Sequence, residues 1–418
     1  MTDKNDPKWC SLPWHHLMIN PGGWVRPCCR FLLEELPSPA MHIGDDLSAV
    51  FAGDYMSRLR TDLIEKGSHP GCRKCYEEED AKKALSHRQR SNQDRSTHDP
   101  INLDQPKLTF LEVSFSNICN LACRMCHPEY STRWHKDYYQ LVGEEYKSAY
   151  SYRFQIDHFR KILGDLKYIK FTGGEPLLIK EYEEILDAVI EVGNAKNIFL
   201  NYSTNLTIAP SPSLVDKWKK FKGIVFALSL DGVGPVIEYV RHPTKWKTVE
   251  QVIPILFSLS HQLPAVYSFR ASVMPYNVLN IPETLLWWQG QAERHMKAPS
   301  KETNIINPTH IHYPEFLTLR VLPAEVKDFV SRKLLSVDIG PRENQAIRHL
   351  VNYMNGQDDS HLFPQFMSYT MALDELHGQS FLDVCPDIAG PILSLWQDRK
   401  LPAPADFIFR SVADASGE

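Results

Sequence analysis

Long apolar runs are absent from this sequence of 418 residues. None reaches the roughly 18 residues that a membrane-crossing helix needs, so contact with a membrane is not expected. A charged-then-apolar signal pattern is missing from the opening "MTDKNDPKWCSLPW", so export is not expected and a cytoplasmic location is. A large charge of one sign is missing as well. The formal net charge is only -5, which argues against a broad footprint for nucleic acid or an acidic membrane. No internal repeat or low-complexity tract occurs. Cysteine nearly vanishes after residue 126, where only Cys385 follows.

What is present is uneven. Hydrophobic residues make up 43% and charged residues 23%, ordinary for a globular protein, and the length allows two or three domains. Eight of the nine cysteines (Cys10, Cys28, Cys29, Cys72, Cys75, Cys119, Cys123 and Cys126) crowd into the first 126 residues. In a reducing compartment, thiols so clustered bind metal or do chemistry rather than form disulfides. Metal sites are therefore expected in the N-terminal third.

Residues 77–106 are polar, carry both charges and lose apolar periodicity after Leu85. They read as a helix end and a linker, with a boundary near residue 100. Beyond it, "KLTFLEVSF", "LKYIKFTGG", "NIFLNYSTN", "GIVFALSLDG", "AVYSFRASVMP" and "YPEFLTLRVLP" read as strands by their β-branched and aromatic content. Helical stretches lie between them. In "KEYEEILDAVIEVG", Ile185, Leu186, Val189 and Ile190 recur at helix spacing and Gly193 suits a C-cap. Six strands, each followed by a helix-like segment, predict parallel βα units in a barrel or open α/β sheet, with ligands at the C-terminal strand ends. From about residue 342 short helices are expected.

The segment "CNLACRMC" places Cys119, Cys123 and Cys126 on one loop directly after the first of these strands. A zinc knuckle wants a fourth ligand at suitable spacing, and His127 is merely adjacent. A thioredoxin-type pair has no use for the first cysteine. Three thiolates can instead hold three irons of a [4Fe-4S] cluster and leave the fourth iron open to a chelating ligand.

With these residues the sequence resembles the radical S-adenosylmethionine (SAM) superfamily, which carries a C-x3-C-x2-C loop after the first strand of a partial (β/α)6 TIM-like barrel. The resemblance covers about residues 107 to 322. "FTGGEP" matches the family's Gly-Gly-Glu motif, which implies that Gly173 and Gly174 admit the ligand closely and Glu175 faces the methionine ammonium group. It further implies ribose contacts from Ser203, Thr204 and Asn205, SAM contacts from Ser229 and Arg241, and an adenine wall from Val273 and Met274. Met125 stands where many members carry an aromatic residue near adenine, and a thioether can pack there.

Upstream, "CSLPWHHLMINPGGWVRPCC" followed by "GCRKC" provides five thiols. A structural zinc site with four thiolates fits the count. The spacing resembles the twitch and SPASM extensions of the same superfamily, which hold auxiliary iron-sulfur clusters. Too few cysteines are present for a second auxiliary cluster, so a twitch-like region with one [4Fe-4S] cluster on Cys10, Cys28, Cys72 and Cys75 is the better match. Cys29 competes with Cys28, and Gly23 sets Cys28 at the family spacing. The extension usually follows the barrel, whereas here it precedes it.

The resulting expectations are a twitch-like region and linker over 1–100, a radical SAM partial barrel over 101–335, and a helical extension over 336–418. The resemblance implies reductive cleavage of SAM and abstraction of a substrate hydrogen atom, ending in oxidation or epimerisation of a small molecule, a sugar-like compound or a peptide. The absence of an obvious leader-binding segment ahead of the twitch region leans towards a small molecule over a peptide-maturase role. A reducing partner such as flavodoxin or ferredoxin is implied. An epimerase needs a hydrogen donor, for which Cys29 and Cys385 are unassigned, with Cys385 the candidate. Glu112, Arg270 and Arg320 are polar residues on expected strands that either meet substrate inside the barrel or pair with one another. A non-catalytic metal-binding scaffold is the alternative of another class.

Overall fold

A computed structural model describes residues 9–20, 22–36, 46–80, 86–93, 100–147, 154–311, 313–395 and 401–407. Eight strands form one sheet in the order β2-β1-β3-β4-β5-β6-β7-β8. They are β1 (His16–Ile19), β2 (Val25–Arg26), β3 (Phe110–Val113), β4 (Tyr168–Phe171), β5 (Phe199–Thr204), β6 (Gly223–Ser229), β7 (Ala265–Val273) and β8 (Asn304–His310). All neighbours run parallel except β1 and β2. Among the described residues no pairing joins β8 back to β2, so the curved sheet is an open, partial TIM-like barrel of the α/β class.

The helices follow the strands as parallel connections require. In the N-terminal hundred residues lie α1 (Leu47–Ala52), α2 (Asp54–Glu65), α3 (Arg73–Asp80) and α4 (His87–Gln93). Between the barrel strands come α5 (Trp134–Val142), α6 (Glu181–Val192), α7 (Pro212–Trp218), α8 (Pro235–Val240), α9 (Trp246–Ser258) and α10 (Ile281–His295). The chain then continues through α11 (Ala324–Leu335), α12 (Pro341–Asn355), α13 (Phe363–His377), α14 (Phe381–Val384) and α15 (Pro386–Leu395). Helix α6 coincides with the expected stretch. Gly193 ends it in the left-handed conformation at φ 80°, its N–H donating to the Ile190 and Val189 carbonyls.

Strand alternation sorts the side chains. Leu111 and Val113, Ile169 and Phe171, Leu200 and Tyr202, and Phe226 and Leu228 are buried on the helix-facing side. Each such side chain contributes about 1.5–3 kcal/mol by leaving water. The alternate positions, Glu112, Lys170, Asn201 and Ser229 among them, face the lumen.

Three expectations are corrected. The sixth barrel strand is Asn304–His310, not 313–323, whose apolar residues sit in two 3-10 turns, Glu315–Leu317 and Leu319–Val321. Pro314 and Pro323 bracket that stretch and supply no N–H to a sheet ladder. Arg320 consequently lies on no strand. Its Nε donates to the Tyr353 carbonyl and its guanidinium stands 4.1 Å from the Tyr353 ring centroid, outside the barrel lumen set. The expected linker lies partly outside the described residues, but its residues 87–93 form α4. There Arg88 is buried and bonded to Glu79 at 2.5 Å and to the Trp9 carbonyl at 2.6 Å. The boundary near residue 100 also does not divide the sheet, because β1 pairs in register with β3, His16 opposite Phe110.

Candidate active site at the C-terminal strand ends

The loop from Cys119 to Cys126 leaves β3 and is held by other elements. Ala122 N donates to the His242 carbonyl at 2.7 Å and Arg124 N to the Val240 carbonyl at 2.9 Å, which ties the loop to the end of α8. From α5, Trp134 Nε1 donates to the Cys123 carbonyl at 2.8 Å. Arg124 turns away from the thiols. Its fully buried guanidinium bonds Asp374 of α13 at 2.6 Å and lies 3.6 Å from the Tyr239 ring centroid. Tyr369 of the same helix donates to the Arg124 carbonyl at 2.6 Å. The C-terminal helices therefore brace the cysteine loop from behind, a role the sequence reading missed.

The three thiols are neighbours. Burial pushes the Cys126 thiol up to about 12, with Cys119 adding to it. Burial also raises Cys123, where Arg241 opposes the shift and Cys126 and Cys119 increase it. Among the described residues no three Cys, His, Asp or Glu side chains stand in a closed ligating arrangement. The fit to a cluster rests on donor chemistry: three thiols on one loop whose ionisation is opposed by burial and by one another, a penalty that bound iron relieves.

Around them the expected ligand-facing residues gather. The loop after β4 lies against the cysteine loop, with Gly174 N donating to Ser116 O and Glu175 N to Ile118 O. A Cβ at Gly174 would meet Ile118 O at 2.0 Å, and Gly173 adopts φ 103°. Only glycine serves at either place. Glu175 is fully buried and accepts from Asn205 N at 2.6 Å and Leu177 N at 3.2 Å. Its carboxylate thus joins the β4 and β5 loops, and burial raises its pKa to about 7. Asn205 Nδ2 reaches Cys119 Sγ at 3.7 Å and Asn120 Oδ1 at 2.9 Å. Thr204 is buried and accepts from Leu206 N, while Ser203 and Ser229 are half-buried at the ends of β5 and β6.

Arg241 links the far side. Its Nη1 lies 3.9 Å from Cys123 Sγ and its Nε 2.7 Å from Asp231 Oδ2. Asp231, also missed by the sequence reading although "SLDG" contains it, takes the Ser272 N–H at 2.7 Å. Val273 and Met274 are fully buried at the end of β7, and Met125 is half-buried in the cysteine loop.

The N-terminal thiols form a second group. Burial raises Cys28, and after Cys29 its neighbours in effect are Cys10 and Cys72. Burial raises Cys10 as well, with Cys72 and Cys75 adding to it, and takes Cys72 to about 12 with Cys75 adding. Cys29 faces another way. After burial, its thiol responds to Glu112, Lys170, Arg26 and Arg30, and its Sγ stands 3.7 Å from His87 Nε2. Lumen residues Glu112 and Lys170 bond at 2.8 Å, and His16 lies 3.7 Å from Glu112. Burial alone would raise Glu112, but Lys170 and His16 more than offset it and hold the carboxyl well below its usual range. Cys385 stands apart from both groups, its thiol donating to the Tyr276 carbonyl at 2.7 Å in a groove beside Val236 and Leu279.

Comparison with known proteins gives the following likenesses. The family model for the radical SAM superfamily matches residues 113–283. A GTP 3',8-cyclase of Clostridium botulinum is 28% identical over 116 residues, 27% of this chain and 32% of that protein. A GTP 3',8-cyclase of Aquifex aeolicus is 32% identical over 95 residues, 22% of this chain and 27% of that protein. The match thus spans about a third of the curated relatives' length. A solved structure of hexahistidine-tagged anSMEcpe with bound AdoMet aligns over 55% of this chain and 58% of its own at TM-score 0.36 and 15% identity. Streptococcus suis SuiB bound to S-adenosylmethionine aligns over 79% and 85% at TM-score 0.29 and 11% identity. Residues 113–283 of the chain therefore match the radical SAM superfamily.

Proposed function

We propose that this protein cleaves SAM reductively and removes a hydrogen atom from a small molecule held in the barrel lumen, leading to its oxidation or epimerisation. The observation that carries this is the Cys119–Cys126 loop, seated at the strand ends against Gly173, Gly174, Asn205 and Arg241 within the matched segment. A [4Fe-4S] cluster on Cys119, Cys123 and Cys126 with SAM on its open iron would supply a 5′-deoxyadenosyl radical. The chain's own residues supply the setting. Gly173 and Gly174 keep the loop crossing close, and Asn205 and Arg241 direct N–H groups at the sulfurs of Cys119 and Cys123. Arg241 is itself fixed by Asp231, so its charge sits beside the thiols without reorganisation.

The N-terminal group reads as the site of one auxiliary cluster on Cys10, Cys28, Cys72 and Cys75. The electrostatic neighbours of each thiol support Cys28 as the ligand and leave Cys29 turned to Glu112 and Lys170. A cluster held by these four thiols would supply an electron acceptor for a substrate radical, which favours oxidation, with flavodoxin or ferredoxin as the proposed reductant. The cyclase relatives share only a part of their length with this chain, so ring formation on GTP is not carried over to it.

Anaerobically prepared protein is expected to hold about eight irons, two [4Fe-4S] clusters. With dithionite and SAM it is expected to release 5′-deoxyadenosine. Alanine at Cys119, Cys123 or Cys126 is expected to abolish that release, and alanine at Cys72 or Cys75 to lower iron to about four. Zinc without iron, or continued cleavage in the loop variants, would overturn the proposal.

A further inference from the structure

We propose that the barrel lumen binds a small anionic molecule that also carries a hydroxyl or amine, its acid group paired with Arg270 and its donor group bonded to Asn201. Taking this molecule as the radical's target rests on the function proposed above; the binding site itself does not.

Arg270 lies on the lumen face of β7, opposite Ser229 on β6 and Asn307 on β8, between Phe269 and Ala271, which are buried on the helix side. Among the described residues its guanidinium makes no hydrogen bond or ion pair. It is exposed, yet enough protein surrounds it that desolvation lowers its pKa, with the Tyr168 hydroxyl and a second cation, Arg90 of α4, acting on it. Its place on the lumen face, with Phe269 and Ala271 turned to the helix side, aims this side chain into the barrel interior. The carboxylate nearby does not serve it, because Glu112 is engaged by Lys170 and His16. Among the described residues the lumen thus carries a cation without a counter-charge, and a planar guanidinium with free N–H groups matches a carboxylate or phosphate.

The second observation is independent. Asn201 sits on the lumen face of β5 with its Nδ2 donating to the Tyr168 hydroxyl at 3.0 Å. Among the described residues its Oδ1 is shielded from solvent and has no partner. A buried acceptor left open is unfavourable, and a bound donor removes that cost. Tyr168 connects the two, bonded to Asn201 and within electrostatic reach of Arg270. An apolar peptide side chain satisfies neither group. A polyhydroxylated or amino-bearing acid satisfies both.

The test is calorimetric titration of the full-length, cluster-loaded protein with inorganic pyrophosphate and, separately, citrate. Wild type is expected to bind at least one. Arg270→Gln is expected to weaken binding at least about tenfold, Arg270→Lys to retain part of it, and Lys301→Gln, at an exposed loop, to match wild type. The stronger probe distinguishes a phosphoryl from a carboxylate ligand. On wild type, the same probe is expected to protect Arg270 from phenylglyoxal modification, read by mass spectrometry. Equal affinity in Arg270→Gln, no binding of either probe, or unchanged modification of Arg270 would overturn the site. Anion binding without 5′-deoxyadenosine formation would remove the radical reading and keep the site; 5′-deoxyadenosine without anion binding would do the reverse.

Discussion

Glu112 shows how single residues set conditions inside the barrel. Its side chain is 7% exposed, and Lys170 and His16 hold its carboxylate ionised. Glu112→Gln leaves Lys170 without its counter-charge. Because the Lys170 side chain is 30% exposed, the expected cost is about 3 kcal/mol, the low end for a broken buried pair. Urea midpoints at pH 7 measure it, and Glu112→Gln/Lys170→Met is expected to recover most of the loss. The pH dependence follows from the lowered pKa of Glu112 in the folded state. Its contribution is present above its unfolded value of about 4.3 and is lost as pH falls through the folded value, so the gap between wild type and Glu112→Gln narrows in acid. None of these partnerships was visible beforehand. Glu112 stood out as a charge in an apolar run, but Lys170, His16, His87 and Cys29 become its surroundings only through strand register and contacts across long stretches of chain.

At the scale of elements, the cysteine loop depends on helix α13 as much as on β3. Asp374 and Tyr369 hold the side chain and carbonyl of Arg124, one residue from Cys123. Asp374→Ala leaves a fully buried guanidinium without its counter-charge, and the loop is expected to loosen. Iron bound per chain should fall and protease cleavage near residue 124 should accelerate, with Asp374→Glu closer to wild type. Gly174→Ala is expected to abolish SAM cleavage, since Ile118 O lies 2.0 Å from the added carbon and is backbone that cannot yield. Five barrel strands were legible because they are short, β-branched and followed by amphipathic stretches. Strand β8, "NIINPTH", was not, because its polar residues and Pro308 suit only a sheet edge. The apolar "LTLRVL" was misread because periodicity of two does not reveal that its flanking prolines deny it ladder partners.

For the molecule as a whole, the N-terminal hundred residues do not hang from the barrel but extend its sheet. Their strand β1 covers the edge of β3, and Arg60 of α2 donates to the Pro13 carbonyl at 2.9 Å to fix the approach. A chain lacking residues 1–100 is expected to expose that edge and to self-associate, seen as large species in size-exclusion chromatography. An elution at monomer size would show that the barrel stands without it. The cysteine spacings announced two thiol groups from sequence, but their joining by one sheet depends on pairing between strands about ninety residues apart, which no local pattern encodes. That separation also orders assembly. His16 leaves the ribosome long before its partner Phe110 exists, so during synthesis Cys10, Cys28, Cys72 and Cys75 emerge ahead of the sheet edge that will enclose them.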